Sequence, residues 1–226
     1  MVFHVLSVPI HPTRKEITIC AFTQKVYKFC SEMFKRGHTV YHYGHPDSTV
    51  RCTKHIDVVS RKTYTDHFKE KKWQDFLPQG IQNKLHEEFN LNAAREALNH
   101  RHDKNDLVLA FWGIGHKEAC EKLKDSMIVV EPSIGYDSFF AHFRVFESYA
   151  HLHKMLGGAH QNHPSPTDHV IPPGFTPSDF EFSEKKEDYW LFLGRIVDAK
   201  GVHIADQLSR ALRQPIKFVG PQTLKT

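Results

Sequence analysis

Residues 3–43 read FHVLSVPIHPTRKEITICAFTQKVYKFCSEMFKRGHTVYHY, and this stretch decides the fold. Residues 3–8 are a short apolar run of the kind a buried strand needs. Pro9 and Pro12 then force a loop, because each lacks a backbone N–H and has a fixed φ. Thr13-x-x-Glu16 has the spacing of a helix capping box. Phe22, Val26, Phe29, Cys30 and Met33 follow at helical intervals, Gly37 stops the helix, and residues 39–43 make a second strand. A strand, a helix and a strand within about 40 residues is the size of a βαβ unit, whose strands lie parallel.

The pattern continues outward. Residues 56–60 are strand-like, and a polar stretch with Trp73 and Pro78 leads to a helix over 79–100, with Ile81, Leu85, Phe89, Ala93 and Ala97 on one side. Strands are expected at 106–112, 127–130 and 169–172, and a short helix at 117–124. Phe139, Phe143, Phe146, Ala150 and His153 stripe a further helix that ends at Gly157-Gly158. Strands separated by helices argue a doubly wound α/β fold around a parallel sheet. Pro, Gly and Ser crowd 164–168 and 172–178, and 183–188 is a charge run, so a linker is expected there. Beyond it, 189–193 and 216–219 read as strands, with Ile204, Ala205, Leu208, Ala211 and Leu212 on one helix face between them.

Composition narrows the function classes. The 226 residues are 40% hydrophobic and 25% charged, which is globular and not disordered. No apolar run approaches the roughly 20 residues that span a bilayer, and residues 1–10 lack the basic lead and cleavage site of a secretion signal. The net charge of +4 is spread out; the densest run, Lys69-Glu70-Lys71-Lys72, carries an acid and reads as a solvated face, so nucleic acid is not the expected partner. Cys20, Cys30, Cys52 and Cys120 form no C-x-x-C pair and read as reduced, mostly buried thiols of a cytoplasmic protein. The 18 histidines raise the question of a metal. The pairs His100/His102, His151/His153 and His160/His163 lack zinc-site spacing, so no metal site is expected, and His160, His163 and His169 fall in a predicted exposed loop.

Ligands of such sheets bind beyond the carboxyl ends of the strands, and three strand ends carry suggestive residues. In Gly194-Arg195-Ile196-Val197-Asp198-Ala199-Lys200-Gly201, Gly194 admits a ligand to the backbone and Arg195 can fork two phosphate oxygens. Lys200 adds a point charge, and Gly201 opens a helix whose N-terminus favours anions. The same residues also suit an ordinary turn with two solvated cations. Trp112-Gly113-Ile114-Gly115-His116 resembles half of a dinucleotide fingerprint, with Glu118 in the third glycine's place. His116 is either a polar contact at a cleft or a surface loop residue. In Glu131-Pro132-Ser133-Ile134-Gly135-Tyr136-Asp137, Gly135 suggests a tight turn and the polar groups suit a sugar, while Asp137 or Ser138 also suits a helix cap. Arg144 and Glu147, three apart, read as a surface pair.

The stretch YWLFLGRIVDAKGVHIADQLSRALRQPIKFVG, residues 189–220, resembles the opening of the donor domain of GT-B glycosyltransferases, especially glycosyltransferase family 4. The hallmark is a strand, G-R, a short gap, K-G and a helix. The segment SIGYDSFFAHFRVFESYAHLH is similar to the acceptor-domain segment of one branch of that family, as are AFTQKVYKFC and GHTVYHYG. The resemblance implies a Rossmann-like acceptor domain over 1–176, a linker over 177–188, and over 189–226 the first βαβ unit of a second, truncated Rossmann-like domain. It implies retaining transfer of a sugar from a nucleotide-sugar donor to a glycan or other hydroxyl acceptor, with no cofactor and no divalent metal. On that likeness Gly194, Arg195, Lys200 and Gly201 bind the donor, Arg195 and Lys200 stabilising the leaving diphosphate. His116 is the positional candidate for a cleft-facing catalytic histidine, and Gly113, His116, Ser133, Gly135, Tyr136 and Asp137 form the acceptor side. Such donor domains continue with an E-x7-E stretch, which this sequence does not reach before Thr226, so self-association or a partner supplying the rest is a further expectation. The alternative is a non-catalytic binding or scaffold module that keeps the acceptor domain only.

Overall fold

The structure, a computed structural model, describes residues 1–69, 71, 77, 80–159 and 163–220. Glu70, Lys72, Trp73, Pro78, Gln79, His160 and the stretch after Gly220 lie outside the described residues. The chain divides into two compact units, Met1–Gly174 and Phe175–Thr226.

The first unit is built on β1 (Val2–Leu6), β2 (Thr39–Gly44), β3 (Lys54–Asp57), β4 (Leu107–Ala110), β5 (Ile128–Ile134), β6 (Phe143–Phe146) and β7 (Asp168–Val170). They form one sheet in the order β3-β2-β1-β4-β5-β6-β7, and every pairing is parallel. The order reverses between β1 and β4, so the sheet is the doubly wound, Rossmann-like α/β arrangement. Its helices are α1 (Ala21–Lys35), α2 (Arg61–Phe68), α3 (Lys84–Asn99), α4 (Lys117–Leu123) and α5 (Tyr149–Gly158).

Strand alternation explains why there are two main cores. Successive side chains point to opposite faces. Phe3 and Val5 of β1 join Val26 and Cys30 of α1, with Val40, Leu109 and Phe111. Leu6 joins Leu85, Phe89, Ala93 and Ala97 of α3, with Cys120 and Leu123 of α4. Ile134 and Phe146 make a third cluster with Leu152, Met155 and Leu156 of α5.

The structure corrects several local expectations. Residues 143–146 are a strand and not the middle of a helix: Arg144 and Phe146 are buried with period two, and β6 pairs with both β5 and β7. Helix α5 begins only at Tyr149, where the Ser148 hydroxyl accepts the His151 N–H at 3.1 Å. Asp137 and Ser138 therefore cap nothing; Asp137 is exposed and paired with Lys154 at 2.6 Å. Arg144 is no surface partner of Glu147. It is buried, lies over the Phe139 ring at 4.2 Å, and forks the Asp168 carboxylate, with Nη2 to Oδ2 at 2.8 Å.

Thr13 caps no helix either. It is buried, its N–H donates to Ser48 Oγ at 3.0 Å, and its hydroxyl meets His42 Nε2 at 2.9 Å, tying the β1–α1 loop to the loop after β2. Strand β3 ends at Asp57, and Ser60 caps an additional helix, α2, by accepting the Thr63 N–H at 3.1 Å. Helix α3 starts at Lys84, where Asn83 accepts the His86 N–H at 3.1 Å.

The second unit is smaller: β8 (Trp190–Leu193), α6 (Val202–Leu212) and β9 (Ile216–Val219), with β8 and β9 parallel. Phe192 and Phe218 pack at 5.4 Å, but Leu191, Leu193, Ile204, Leu208, Leu212 and Val219 are exposed. No helix among the described residues is long and apolar enough to cross a membrane.

Candidate functional site

In the first unit, the loops at the carboxyl ends of β1, β4, β5 and β6 meet around the point where the strand order reverses. His116 closes that point from within. It ends a 3-10 turn, Gly113–His116, and is fully buried. Its Nδ1 accepts the Trp112 N–H at 3.2 Å, which leaves the ring proton on Nε2, and Nε2 donates to the Ser7 carbonyl at 2.9 Å. The ring stacks on Phe89 at 5.1 Å. Burial pushes its pKa down to about 3, so the imidazole is neutral at pH 7. The expectation of a surface or cleft-facing histidine is therefore corrected. Both nitrogens serve backbone groups that would otherwise be orphaned.

The glycines of the half-fingerprint answer to aromatic packing. Gly113 has φ +55°, and a Cβ there would sit 2.5 Å from the Tyr136 ring. A Cβ on Gly115 would sit 2.2 Å from Trp112. Helix α3 holds this turn through Asn90, which donates to the Gly115 carbonyl at 2.9 Å and accepts the Ala119 N–H at 3.3 Å. His86, also on α3, accepts the Trp112 indole N–H at 3.0 Å. Sequence reading missed Asn90 and His86, because neither belongs to a motif.

The carboxyl end of β5 is strained and braced. The β5–β6 register shifts between Glu131 and Ile134, and Ser133 takes φ +54°, a left-handed conformation costly for a residue with a Cβ. Buried Glu131 accepts from the Tyr136 hydroxyl at 2.7 Å and from the Phe140 and Ala141 N–H groups at 2.8 and 3.1 Å. Burial raises the Glu131 pKa against the pull of those donors. The Tyr136 hydroxyl is thus engaged, and its half-buried ring packs beside Gly113 and Phe22. Gly135 lies against Glu147, since a Cβ there would be 2.7 Å from the carboxylate.

Glu147 forms an ion pair with Lys25 of α1, whose ammonium lies 4.5 Å from the centre of the Phe22 ring. Burial pushes Lys25 down to about 8, against a smaller upward pull from the Cys20 thiol. The pair is the main feature of this end that sequence reading missed. Of the expected acceptor residues, Gly113 and Tyr136 are in contact, Ser133 sits in the irregular end of β5 with Gly135 just beyond it, His116 is buried beneath, and Asp137 is turned to Lys154.

In the second unit, Gly194, Arg195, Lys200 and Gly201 occupy one turn between β8 and α6. Gly194 N–H donates to Val219 O at 2.9 Å, and Gly220 approaches so closely that a Cβ would lie 1.7 Å from Gly194 O. Gly201 takes φ +73° as N-cap of α6, and no side chain caps the helix. Arg195 and Lys200 are exposed, and neither side chain has a partner among the described residues. Comparison with protein-family models and with curated proteins returns no match. Among the described residues, no group of three or more His, Cys, Asp or Glu is placed to hold a metal ion.

Proposed function

We propose that the protein is a GT-B glycosyltransferase that moves a sugar from a nucleotide-sugar donor to a hydroxyl acceptor with retention. The observation that carries this reading is the β8–α6 turn. It gathers two unpartnered cations, Arg195 and Lys200, beside an uncapped helix start at Gly201. As the glycosidic bond breaks, negative charge grows on the departing diphosphate. A guanidinium fork, an ammonium and helix N–H groups stabilise that charge where it develops. On this reading the acceptor side is the carboxyl end of the first unit. His116 positions the β4 turn there and does not exchange a proton, because both its nitrogens are engaged.

Calorimetry with uridine and guanosine diphosphates tests the reading. Binding that Arg195→Ala weakens supports it, and equal binding by wild type, Arg195→Ala and Lys200→Ala overturns it. The engagement of His116 also favours a second reading, a module that binds the donor without turnover. Nucleotide-sugar binding without release of nucleoside diphosphate would select it.

A further inference from the structure

We propose that Lys25 and Glu147 form a sugar-binding pair that sets acceptor specificity, and that the acceptor is a pyranoside with adjacent free hydroxyls. This rests on the glycosyltransferase reading and names its acceptor class. The pair joins α1 to the end of β6 and is neither sealed nor free: the side chains are 16% and 25% exposed. A fully solvated pair would be a weak surface bridge and a sealed one purely structural; this one keeps part of both side chains in contact with solvent.

Each member keeps hydrogen-bonding capacity beyond the bridge itself. Lys25 has three N–H donors and one is directed at Glu147, while the carboxylate has two oxygens with several acceptor sites. A donor beside an acceptor matches two neighbouring hydroxyls of a sugar, each of which both donates and accepts. Half-buried aromatic rings stand beside it. Phe22 meets Trp112 edge-on at 5.5 Å and Tyr136 at 5.8 Å. With the Tyr136 hydroxyl spent on Glu131, what that half-buried side chain has left for a pyranose is the apolar surface of its ring. Gly135 keeps the approach to the carboxylate open, because any larger side chain would press on it at 2.7 Å.

The test is an NMR titration of the full chain with methyl α-pyranosides of glucose, galactose and mannose. Tetrahydropyran-2-methanol, which lacks adjacent hydroxyls, is the control. The readouts are the Trp112 indole N–H signal and the Lys25 side-chain carbons. At least one pyranoside should shift both saturably, and the control should shift neither. Glu147→Gln keeps the shape of the side chain and an oxygen for Lys25, so it should leave Tm nearly unchanged while weakening sugar binding roughly tenfold or more. Lys25→Met should weaken it as much. If no pyranoside shifts the wild-type signals, or if Glu147→Gln binds as tightly as wild type, the proposal is wrong. That failure leaves the nucleoside diphosphate test untouched, since the two use different ligands and different units of the chain.

Discussion

His116 Nε2 donates to the Ser7 carbonyl at 2.9 Å, across 109 residues of sequence. The bond ties the turn after β4 to the chain leaving β1, at the place where the sheet reverses its strand order. It makes His116 a brace of the candidate site.

Replacing His116 with Leu should therefore destabilise the first unit. The change leaves the Ser7 carbonyl and the Trp112 N–H without partners in a buried place. The expected cost is about 2–4 kcal/mol, read from urea unfolding followed by tryptophan fluorescence. A cost below about 0.5 kcal/mol would remove the bracing role.

Acid should unfold the protein early. Burial lowers the pKa of His4, His11, His42, His45, His86 and His116, with His11 and His86 at about 4 and His116 at about 3. A folded pKa below the unfolded 6.5 means that the unfolded chain binds more protons below that pH. This stability is thus present in full above about pH 6.5 and is lost as pH falls. At pH 5, His11, His86 and His116 each cost about 2 kcal/mol, and together they approach the whole stability of an ordinary domain. Urea midpoints should fall steeply from pH 7 to pH 5; a flat profile would contradict the buried neutral histidines.

Arg144 and Asp168 should behave as a buried pair. Arg144→Ala leaves a carboxylate with no exposed side-chain surface and only the Ser165 N–H, at 2.8 Å, among its former partners. The expected loss is about 3–5 kcal/mol, visible as a lowered Tm. The double variant Arg144→Met/Asp168→Leu should recover much of it, because it removes both charges. No recovery would show that packing over Phe139, and not charge, dominates.

Arg195→Ala should weaken nucleoside diphosphate binding roughly ten- to a hundredfold, the loss of a charge-assisted fork of about 1.5–3 kcal/mol. Lys200→Ala should cost less, since an ammonium is less directional. Both side chains are exposed, so neither variant should change Tm. Calorimetry and a melting curve on the same samples separate the two effects.

Backbone amides of β8, α6 and β9 should exchange with deuterium faster than those of β1 and β4. Strands β1 and β4 are covered on both faces, whereas the second unit leaves seven large apolar side chains of these elements exposed, Trp190, Leu191, Leu193, Ile204, Leu208, Leu212 and Val219. Equal protection in both units would count against this picture of the second.

Much of the architecture was legible in local chemistry. The apolar run at 3–8, the stripe Phe22 to Met33 and the Gly37 stop place β1, α1 and β2 with no knowledge of their neighbours. The β8–α6 turn was equally legible, because Gly194, Arg195, Lys200 and Gly201 lie within eight consecutive residues and their conformations are local. The segment 139–153 shows the limit: its aromatic residues satisfy a helical period, but residues 143–146 become a strand because β5 and β7 are there to pair with it. The site of the first unit lies beyond that limit. Lys25 meets Glu147 across 122 residues, and Arg144 meets Asp168 across 24. Periodicity tells which face of an element is apolar, but not which distant polar group will share its burial. Whether His116 faces solvent or a carbonyl depends on the strand order, and that order is decided by packing two helical layers against one sheet.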